Sequence, residues 1–442
     1  MVAMLEQENN AYPGEFSRIE KELAKVGSPA LLRQRKAAIA RFGEVGFPTT
    51  HDEEWRFTDV APIAKAPLAL PEIEDGVPPP EARSSLAGDG YRLSFVNGYR
   101  PVFEQQGAKL PTGVIVASLA EALVKHKDLV EPHLAHHARV DGSAFTALNT
   151  AFFRDGAFVH IPKGVVVSAP IHLQFLATTR PFAWQRRTLI VAGENSQATI
   201  VEGYDGADGN AYFTNAVTEV VALPGAVLDH YKVQREGKSA FHVGTMQVTM
   251  QRGSTFTSHG IALGGGLVRN DANAVLDAEG CTCTLNGLYL ASGQQLIDNH
   301  TRIDHAKPNC VSHELYKGIL DGKARGVFNG KIYVHPNAQK TDAKQTNKTL
   351  LLSDDAVINT KPQLEIYADD VKCMHGATIG PLDADSIFYL RSRGIGLAEA
   401  RCLLTFAFAN DIIRRIQVAP IRAQLEDVLL AAQHLPRGEE AP

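Results

Sequence analysis

Hydrophobic and polar positions change their spacing twice along this chain. Between about residues 14 and 46, apolar residues recur at i, i+3, i+4 and i+7 in EFSRIEKELAKVG and PALLRQRKAAIARFG, which predicts two amphipathic helices. Gly27 and Gly43 stand where helix C-caps are expected. The next segments are irregular: HDEEWRFTDV at 51–60, and PPPEARS at 78–84, which is typical of a loop or linker.

The spacing changes to that of strands from about residue 145 to 380. Short runs rich in Val, Ile, Thr, Phe and Tyr alternate there with Gly, Asn, Asp and Pro, as in strands separated by turns. No helix-length periodic segment interrupts them, so we expect no βαβ units. One short amphipathic helix is predicted before this region, near 117–128.

Helical spacing returns after residue 383, where the sequence predicts three helices. Asp383 and Asp385 are placed as N-terminal caps, Gly394 as a C-cap and Pro420 as a first-turn proline. A solenoid needs covered ends, and these helices could cover one or bind partners.

A repeat is visible inside the strand region. Five segments begin with Gly or Asn followed by a small residue, 27 to 29 residues apart, at Gly225, Gly253, Gly280, Asn309 and Asn337. A repeat of this length without helices predicts a β-solenoid, in which each coil stacks on the previous one. A propeller is less favoured because its recurrent Trp-Asp and Gly-His signals are missing, and an irregular sandwich or barrel is the remaining alternative.

The fold class predicted is therefore mainly β: a parallel, right-handed β-helix flanked by N-terminal and C-terminal α-helical regions. We expect residues 1–90 to form an N-terminal helical region with a linker. Residues 91–380 would form the β-helix core, with a short helical insert near 117–137. Residues 381–442 would form a C-terminal helical domain.

Composition narrows the class of protein. Hydrophobic residues make up 44% and charged residues 21%, with a net charge of -5, which excludes a largely disordered chain and gives no sign of nucleic-acid or membrane binding. The chain has five cysteines, a number that is small and odd, so they do not indicate a disulfide framework. Such sparse cysteines fit a reducing compartment. Without a signal-peptide pattern or a long apolar run, we expect a cytoplasmic protein.

Three short motifs that could indicate an enzyme are incomplete. GKS at 237–239 resembles the end of a phosphate-binding loop, but Lys232 stands where that loop requires Gly. GGG at 264–266 lacks the third Gly of a dinucleotide fingerprint, and HE at 313–314 lacks the second His of a zinc-protease helix. We therefore expect this chain to bind no nucleotide.

Two other groups of possible metal ligands have simpler explanations. Cys281 and Cys283 lie two apart on a predicted strand and so face one side. They fit a thiolate pair for a metal, but small side chains filling a narrow coil interior are the favoured interpretation. His136 and His137 lie in a loop-like stretch without a thiol or carboxylate at ligand spacing, which is typical of a surface feature.

The segment EIYADDVKCMHGATIG, 365–380, carries the strongest candidate chemistry. Cys373 and His375 project to the same face of a predicted strand. A thiolate and an imidazole together make half of a soft-metal or iron–sulfur site, and a partner chain would have to supply the other ligands.

Two alternatives remain for this segment. It is a structural strand end with an incidental Cys, or it belongs to a polysaccharide-cleaving β-helix that uses Asp369, Asp370 and His375 for acid–base chemistry. Such enzymes are usually secreted, which disagrees with the expected location.

Three stretches of the chain resemble one protein family. The segment KTDAKQTNKTLLLSDDAVINTKPQLEIYADDVKCMHGATIGPLDADSIFYLRSRGI, 340–395, closely resembles the SufB/SufD family of iron–sulfur cluster assembly scaffolds. FTALNTAFFRDGAFVHIPKGVVVSAPIHL, 145–173, is similar to that family's entry into its β-helix, and HDEEWRFTDV to its Trp-centred N-terminal motif. Within the family, VKCMHGATIG looks like the SufD type, and Leu390 stands where the SufB type typically carries Cys.

The resemblance implies a function and a set of partners. It implies a non-catalytic scaffold subunit that pairs with a SufB-like subunit through the end of the β-helix. Its C-terminal helices would dock a SufC-like ATPase, with the partner-docking candidates Phe388, Tyr389, Arg391 and Arg393. In isolation such a chain could form a homodimer through the same edge.

The resemblance also implies a site. The family's SufD histidine maps onto His375, and Cys373 is its neighbour on the same face. These two residues would contribute to a transient iron–sulfur cluster shared with the SufB-like partner.

Overall fold

The computed structural model describes residues 2–66, 89–96, 101–107, 109–177, 182–209 and 211–431; the predicted linker at 78–84 lies outside them. The α-helices in this part of the chain are α1 (Val2–Leu23), α2 (Pro29–Val45), α3 (Ala61–Lys65), α4 (Leu119–Lys125), α5 (Lys127–Val130), α6 (Ala144–Phe152), α7 (Ala384–Ser392), α8 (Leu397–Ile413) and α9 (Ala419–Ala431). Single turns of 3-10 helix occur at Glu53–Trp55 and Val140–Gly142.

Three details of the predicted helices were wrong. Gly27 is not the C-cap of α1, because that helix already ends at Leu23. Gly43 lies inside α2, and the residue that caps this helix is Gly46, at φ 63° with its N–H bonded to the carbonyl of Phe42. Helix α6 falls inside the region predicted to hold only strands. Residues 145–152 are all buried. The polar residues of α6, Thr146, Asn149 and Thr150, do recur at helical spacing, but this signal lies within a helix of only nine residues.

The strands form a two-sheet solenoid. In chain order they are β1 (Gly90–Val96), β2 (Val102–Gln106), β3 (Ile115–Ser118), β4 (Ala157–Ile161), β5 (Ile171–Ala177), β6 (Ala183–Ala192), β7 (Gln197–Gly206), β8 (Phe213–Ala222), β9 (Val227–Arg235), β10 (Phe241–Met250), β11 (Thr255–Ala262), β12 (Leu267–Leu276), β13 (Thr282–Ala291), β14 (Leu296–His305), β15 (Val311–Leu320), β16 (Arg325–Val334), β17 (Asp342–Leu351), β18 (Val357–Ile366) and β19 (Lys372–Gly380). One sheet has the order β19-β17-β15-β13-β11-β9-β7-β5-β1-β2, and the other β18-β16-β14-β12-β10-β8-β6-β4-β3. This confirms the predicted mainly β solenoid.

Neighbouring coils stack in parallel and in register. Thr282 pairs with Val311, and Val311 pairs with Asp342. Because alternate residues of a strand face opposite sides, equivalent side chains of successive coils form columns, and half of the columns face the interior between the sheets. This interior is largely apolar, but inward positions of later coils are polar, as at Glu314, Gln345 and Asn347.

The predicted turn repeat is confirmed for four of its five members. Gly225, Gly253, Gly280 and Asn309 have φ between 59° and 73°, and a strand starts two residues after each. Only Gly, and to a lesser degree Asn, adopts this left-handed conformation at little cost. The fifth member was wrong: Lys340, at φ 63°, takes the place predicted for Asn337. A Lys at such a position gives no recognisable turn signal.

Helices cover the outer faces of both sheets. Helix α6 packs against the nine-stranded sheet, and α1 and α2 pack on α6. Phe42, Phe152 and Phe213 belong to the one buried cluster that joins these layers. Helices α8 and α9 pack against the ten-stranded sheet, where Ile412 and Leu425 share a cluster with strand residues from β7 to β17. The two helical regions therefore lie on opposite sides of the solenoid.

The C-terminal helices begin where the sequence predicted. The side chain of Asp383 accepts the N–H of Ser386 and caps α7, Asp385 lies in its first turn, and Gly394 at φ 88° follows its end. Pro420 lies in the first turn of α9. Among the described residues, we find no helix with the length and apolar character that crossing a membrane requires.

Candidate functional site

The C-terminal end of the solenoid is open within the described part of the chain. Strands β18 and β19 are the last members of their sheets, and each pairs with a strand on one side only. The register places Ile366 and Ile379 at interior-type positions, yet they are 38% and 44% exposed because no further coil covers them. This end therefore presents unpaired backbone groups together with uncovered core side chains.

Both sequence-predicted ligands lie on β19 at this end. Cys373 pairs with Ala343, and His375 pairs with Gln345, so both belong to inward-facing columns. Cys373 is half-buried against a small apolar cluster of the last coils, whereas His375 is exposed. Burial, assisted by the Asp342 carboxylate, raises the pKa of the Cys373 thiol, so this thiol ionises less readily than a free one.

Two soft donors do not complete a metal site. Among the described residues there is no group of three or more His, Cys, Asp or Glu side chains placed to hold a metal ion. Tetrahedral metals and iron–sulfur clusters take about four protein ligands. Cys373 and His375 can therefore supply only part of a ligand set, and the rest has to come from outside this arrangement.

Sequence reasoning missed the polar side chains that lie beneath His375. The amide Nε2 of Gln345 donates a hydrogen bond of 2.6 Å to Oε2 of Glu314 on the preceding coil. Both side chains are almost completely buried, and burial raises the pKa of Glu314 to about 7. Each lies five residues beyond its turn residue, Asn309 or Lys340, so counting from the correct turns could have found them.

The acidic residues of the alternative hypothesis lie in the turn before β19. Asp369 and Asp370 are both exposed. Asp370 forms an ion pair with Lys340, and its N–H donates to Oε1 of Gln339 at 2.9 Å. Asp370 therefore helps to hold the last turn of the solenoid.

Comparison with known proteins places this geometry in a family. The model for the "SUF system FeS cluster assembly, SufBD core domain" matches residues 175–408, and the model for the SufBD N-terminal region matches residues 86–173. This chain belongs to the SufBD family. The SufBD core match includes β19 and its two candidate ligands, and the family assignment gives the chain a role in SUF iron–sulfur cluster assembly.

Relatives of this SufBD chain are similar over nearly their whole length. An iron–sulfur cluster assembly SufBD family protein of Synechocystis is 33% identical, covering 92% of this chain and 94% of the relative. The iron–sulfur cluster assembly protein SufD of Escherichia coli is 30% identical, covering 92% and 93%. SufD of Bacillus subtilis is 26% identical, covering 91% and 94%.

The predicted docking residues of this SufBD chain lie on α7, which follows β19 directly, and at the C-cap of this helix, Arg393. Phe388 is 75% and Tyr389 57% exposed, so two aromatic side chains lie next to each other at the surface. Arg391 and Arg393 are exposed as well, and the guanidinium of Arg393 lies 5.1 Å from the centre of the Tyr389 ring. Leu390 is half-buried on the same helix.

Other thiols and imidazoles of this SufBD chain have structural surroundings. Cys281 and Cys283 are fully buried within the apolar interior. His136 is exposed as predicted, but His137 is not a simple surface residue. The His137 backbone N–H donates to the buried carboxylate of Glu219 at 2.8 Å, and its Nδ1 lies 2.9 Å from the hydroxyl of Thr249.

A second polar cluster lies deep inside the solenoid, around a cavity of about 40 Å³. The ammonium of Lys232 donates to Oδ1 of Asn270 at 2.7 Å, and burial lowers its pKa to about 8. Glu202 accepts a hydrogen bond of 2.7 Å from the hydroxyl of Tyr204 and lies 3.2 Å from Nε2 of His230. These groups bind one another, whereas the soft donors on β19 lie at an end that no further coil covers.

Proposed function

We propose that this chain is a SufD-like, non-catalytic scaffold subunit of a cytoplasmic SUF assembly complex. It completes a site for a nascent iron–sulfur cluster together with a SufB-like partner. The single observation that carries the proposal is the incomplete pair of soft donors, Cys373 and His375, on the last strand of an open solenoid end. A cluster made for delivery is cargo, so a site divided between two chains suits its release.

The open end favours pairing with another solenoid. An unpaired strand edge attracts a strand from a partner, because backbone N–H and C=O groups gain hydrogen bonds there. The uncovered side chains of Ile366 and Ile379 add apolar area that a further coil would bury. A SufB-like subunit of the same architecture would continue both sheets and bring its own ligands to Cys373 and His375, and in its absence a second copy of this chain could occupy the same edge.

The two donors suit the chemistry of the cargo. Thiolate and imidazole both bind iron, and histidine replaces cysteine at some iron–sulfur centres. Iron binding requires the Cys373 thiol to lose its proton, and its raised pKa means that the metal itself has to displace that proton. His375 is exposed and is the more accessible of the two donors before a cluster forms.

The C-terminal helices are the proposed docking region for a SufC-like ATPase. Helix α7 and its C-cap offer exposed aromatic and cationic side chains, the residue types that are enriched at protein interfaces: Phe388, Tyr389, Arg391 and Arg393. ATP hydrolysis would belong to that partner, with no nucleotide bound by this chain. Because α7 follows β19 after three residues, movement of the docked ATPase would reach the ligand-bearing strand.

We do not extend the proposal to carbohydrate chemistry. The relatives with SufD names are assembly proteins by name, and Asp370 pairs with Lys340.

The experiment that tests the proposal compares cluster content between variants of a purified complex. This chain is co-expressed with SufB-like and SufC-like partners from the same source, and the complex is isolated anaerobically. We expect His375→Ala to retain the complex but to lose most of its iron and sulfide, with a smaller loss for Cys373→Ser. Asp369→Ala is the matched control, because Asp369 is an exposed neighbour of the same strand. Full cluster content in His375→Ala would show that His375 is no ligand.

A further inference from the structure

His375 is the last member of one inward-facing column of the solenoid. The strand register stacks the following residues, one from each successive coil: His230, Ser258, Leu285, Glu314, Gln345 and His375. Adjacent members lie on strands that are about 4.8 Å apart, which brings consecutive side chains within hydrogen-bonding reach. Gln345 is therefore the side chain directly beneath His375.

The amide of Gln345 is oriented by Glu314. Its Nε2 donates to Oε2 of Glu314 at 2.6 Å, and an NH₂ group is the only part of the amide that can donate. The orientation therefore commits the nitrogen to Glu314 and leaves Oε1 for another partner. Oε1 of Gln345 is buried and has no hydrogen-bond partner within the described structure. A buried acceptor without a donor is costly, so a hydrogen bond from a neighbouring side chain that can reach Oε1 would be favourable.

The opposite sheet leaves space for this amide. Gly330 on β16 faces Gln345 across the interior, and a Cβ built on Gly330 would lie 2.3 Å from Nε2 of Gln345 and 2.7 Å from its Cδ. The backbone of Gly330 is not left-handed, so its conformation does not demand glycine. Any larger residue would displace the Gln345 amide.

We propose that Gln345 is a positioning residue for His375. In the described structure the exposed His375 ring does not hydrogen-bond to Oε1 of Gln345, so the ring has to turn inward to reach it. Oε1 then accepts the N–H of one imidazole nitrogen, Glu314 holds the amide in that orientation, and Gly330 leaves room for it. The other ring nitrogen then carries its lone pair outward, toward the open end. Metal-binding histidines commonly donate their second N–H to a fixed acceptor, which sets the tautomer and strengthens the ligand. This inference rests on the proposed function of His375 as a ligand.

The neighbouring residue Asn347 provides a matched control. It occupies the next inward position of β17, is buried like Gln345, and donates to the Thr360 hydroxyl at 2.9 Å. Its column continues to Ala377 rather than to His375. Asn347→Leu therefore removes a buried amide from the same strand without touching the proposed contact.

The first measurement reads the ring of His375 without any metal. In the full chain labelled with ¹⁵N-histidine, the resonances of His375 are assigned by their loss in His375→Ala. At alkaline pH we expect one dominant tautomer in the original chain and in Asn347→Leu, and a shift toward the mixture of free histidine in Gln345→Leu and Gly330→Ala. Glu314→Leu should reproduce this shift, whereas Glu314→Gln keeps an acceptor for the Gln345 amide and should not.

The second measurement separates this proposal from the proposed function. In the anaerobic complex with SufB-like and SufC-like partners, we expect Gln345→Leu to weaken iron retention about 10- to 100-fold, as for other groups that orient a ligand. An unchanged His375 tautomer in Gln345→Leu overturns the positioning role; if that variant does not fold, an unchanged tautomer in Gly330→Ala does so. If Gln345→Leu shifts the His375 tautomer but retains its full iron content, the contact between Gln345 and His375 is supported and His375 is not a ligand.

Discussion

The carboxylate of Glu219 shows how one buried charge organises a loop. It accepts hydrogen bonds from the N–H groups of Ala135, His137 and Ala138, and it forms an ion pair of 2.7 Å with Arg187. Burial alone would raise its pKa, but the Arg187 guanidinium and the amide donors hold the pKa of Glu219 below its ordinary value. The carboxylate is therefore ionised while completely buried.

At the residue scale we predict that Glu219→Gln destabilises the fold by about 3–5 kcal/mol at neutral pH, because it leaves the Arg187 charge buried without a counter-ion. Because the pKa of Glu219 is lower in the folded state, its ionisation stabilises the fold at pH values above the ordinary carboxyl pKa of about 4.3. This stabilisation is lost as the pH falls through the pKa of the folded state. Denaturant unfolding at neutral and acidic pH measures both effects. Glu194→Gln breaks the exposed pair with Lys163 and should cost under about 1 kcal/mol. Equal losses in the two variants would contradict the prediction.

At the scale of elements, one buried lysine helps to hold helix α8 on the solenoid, beside the hydrogen bond of 2.9 Å from Arg401 to the carbonyl of Leu352. The ammonium of Lys317 on β15 donates to the carbonyl of Phe408 at 2.7 Å and pairs with Asp411 at 2.5 Å. It also lies 4.5 Å from the centre of the Phe408 ring. Burial lowers the pKa of Lys317, although Asp411 partly opposes this change. The helices proposed to dock the ATPase thus depend on a contact made by a strand.

We predict that Lys317→Met loosens α8 and α9 while the solenoid stays folded. Losing hydrogen bonds from a charged donor should lower the local opening free energy of α8 by about 1.5–3 kcal/mol, toward the lower end because the Asp411 side chain is 41% exposed. Hydrogen exchange of α8 amides measures this change. Lys344→Met is the control, because Lys344 lies on the next coil and pairs only weakly with Asp342, at 3.5 Å. Unchanged exchange in Lys317→Met would show that the other contacts of α8 hold the helix without this lysine.

At the scale of the whole molecule, the solenoid is closed along its sides and open at its C-terminal end. The helical regions cover the outer faces of both sheets, whereas the last coil exposes Ile366 and Ile379 from interior-type positions. Stability of a solenoid comes from contacts between neighbouring coils, so an uncovered end coil lacks half of its stacking. This asymmetry directs association to one end.

We predict that Ile379→Lys weakens binding of the SufB-like partner at least about tenfold, because burying an isoleucine contributes about 1.5–3 kcal/mol and the new charge would have to lose water. Pull-down of the partner with the tagged chain measures binding. Val166→Lys changes a side chain that is 58% exposed on an early coil and should leave binding unchanged. A thermal melt should show little change for either variant. Full recovery of the partner with Ile379→Lys would show that the interface lies elsewhere on the chain.

Local rules predicted the coils well as far as the turn residues were recognisable. Glycine and asparagine marked the turns at Gly225, Gly253, Gly280 and Asn309, and the structure confirms each of them. The next turn uses Lys340, and choosing Asn337 in its place shifts the count by three residues. That shift hid the position of Gln345 beneath His375. The prediction that Cys373 and His375 share a strand face was unaffected by this error, because it depends only on the local alternation of side chains along a strand.

Sequence reasoning missed helix α6 for a different reason. Its polar residues Thr146, Asn149 and Thr150 have helical spacing, but the helix is only nine residues long, and a short, mostly apolar run is equally typical of a buried strand. Its place between α2 and the solenoid is decided by tertiary packing. The same limit applies to Glu219, whose chemistry depends on a loop and a strand that lie more than 80 residues apart. Long-range contacts of this kind have no periodic signature.

The sequence alone determined the class of fold, the position of the flanking helices and the placement of Cys373 and His375 on one strand face. These features follow from local spacing and turn chemistry, which act within a few residues. Only the tertiary structure decided that His375 lies above Gln345 and Glu314, and that the last coil is uncovered. Both depend on the register between coils about 30 residues apart, which packing of the whole solenoid sets.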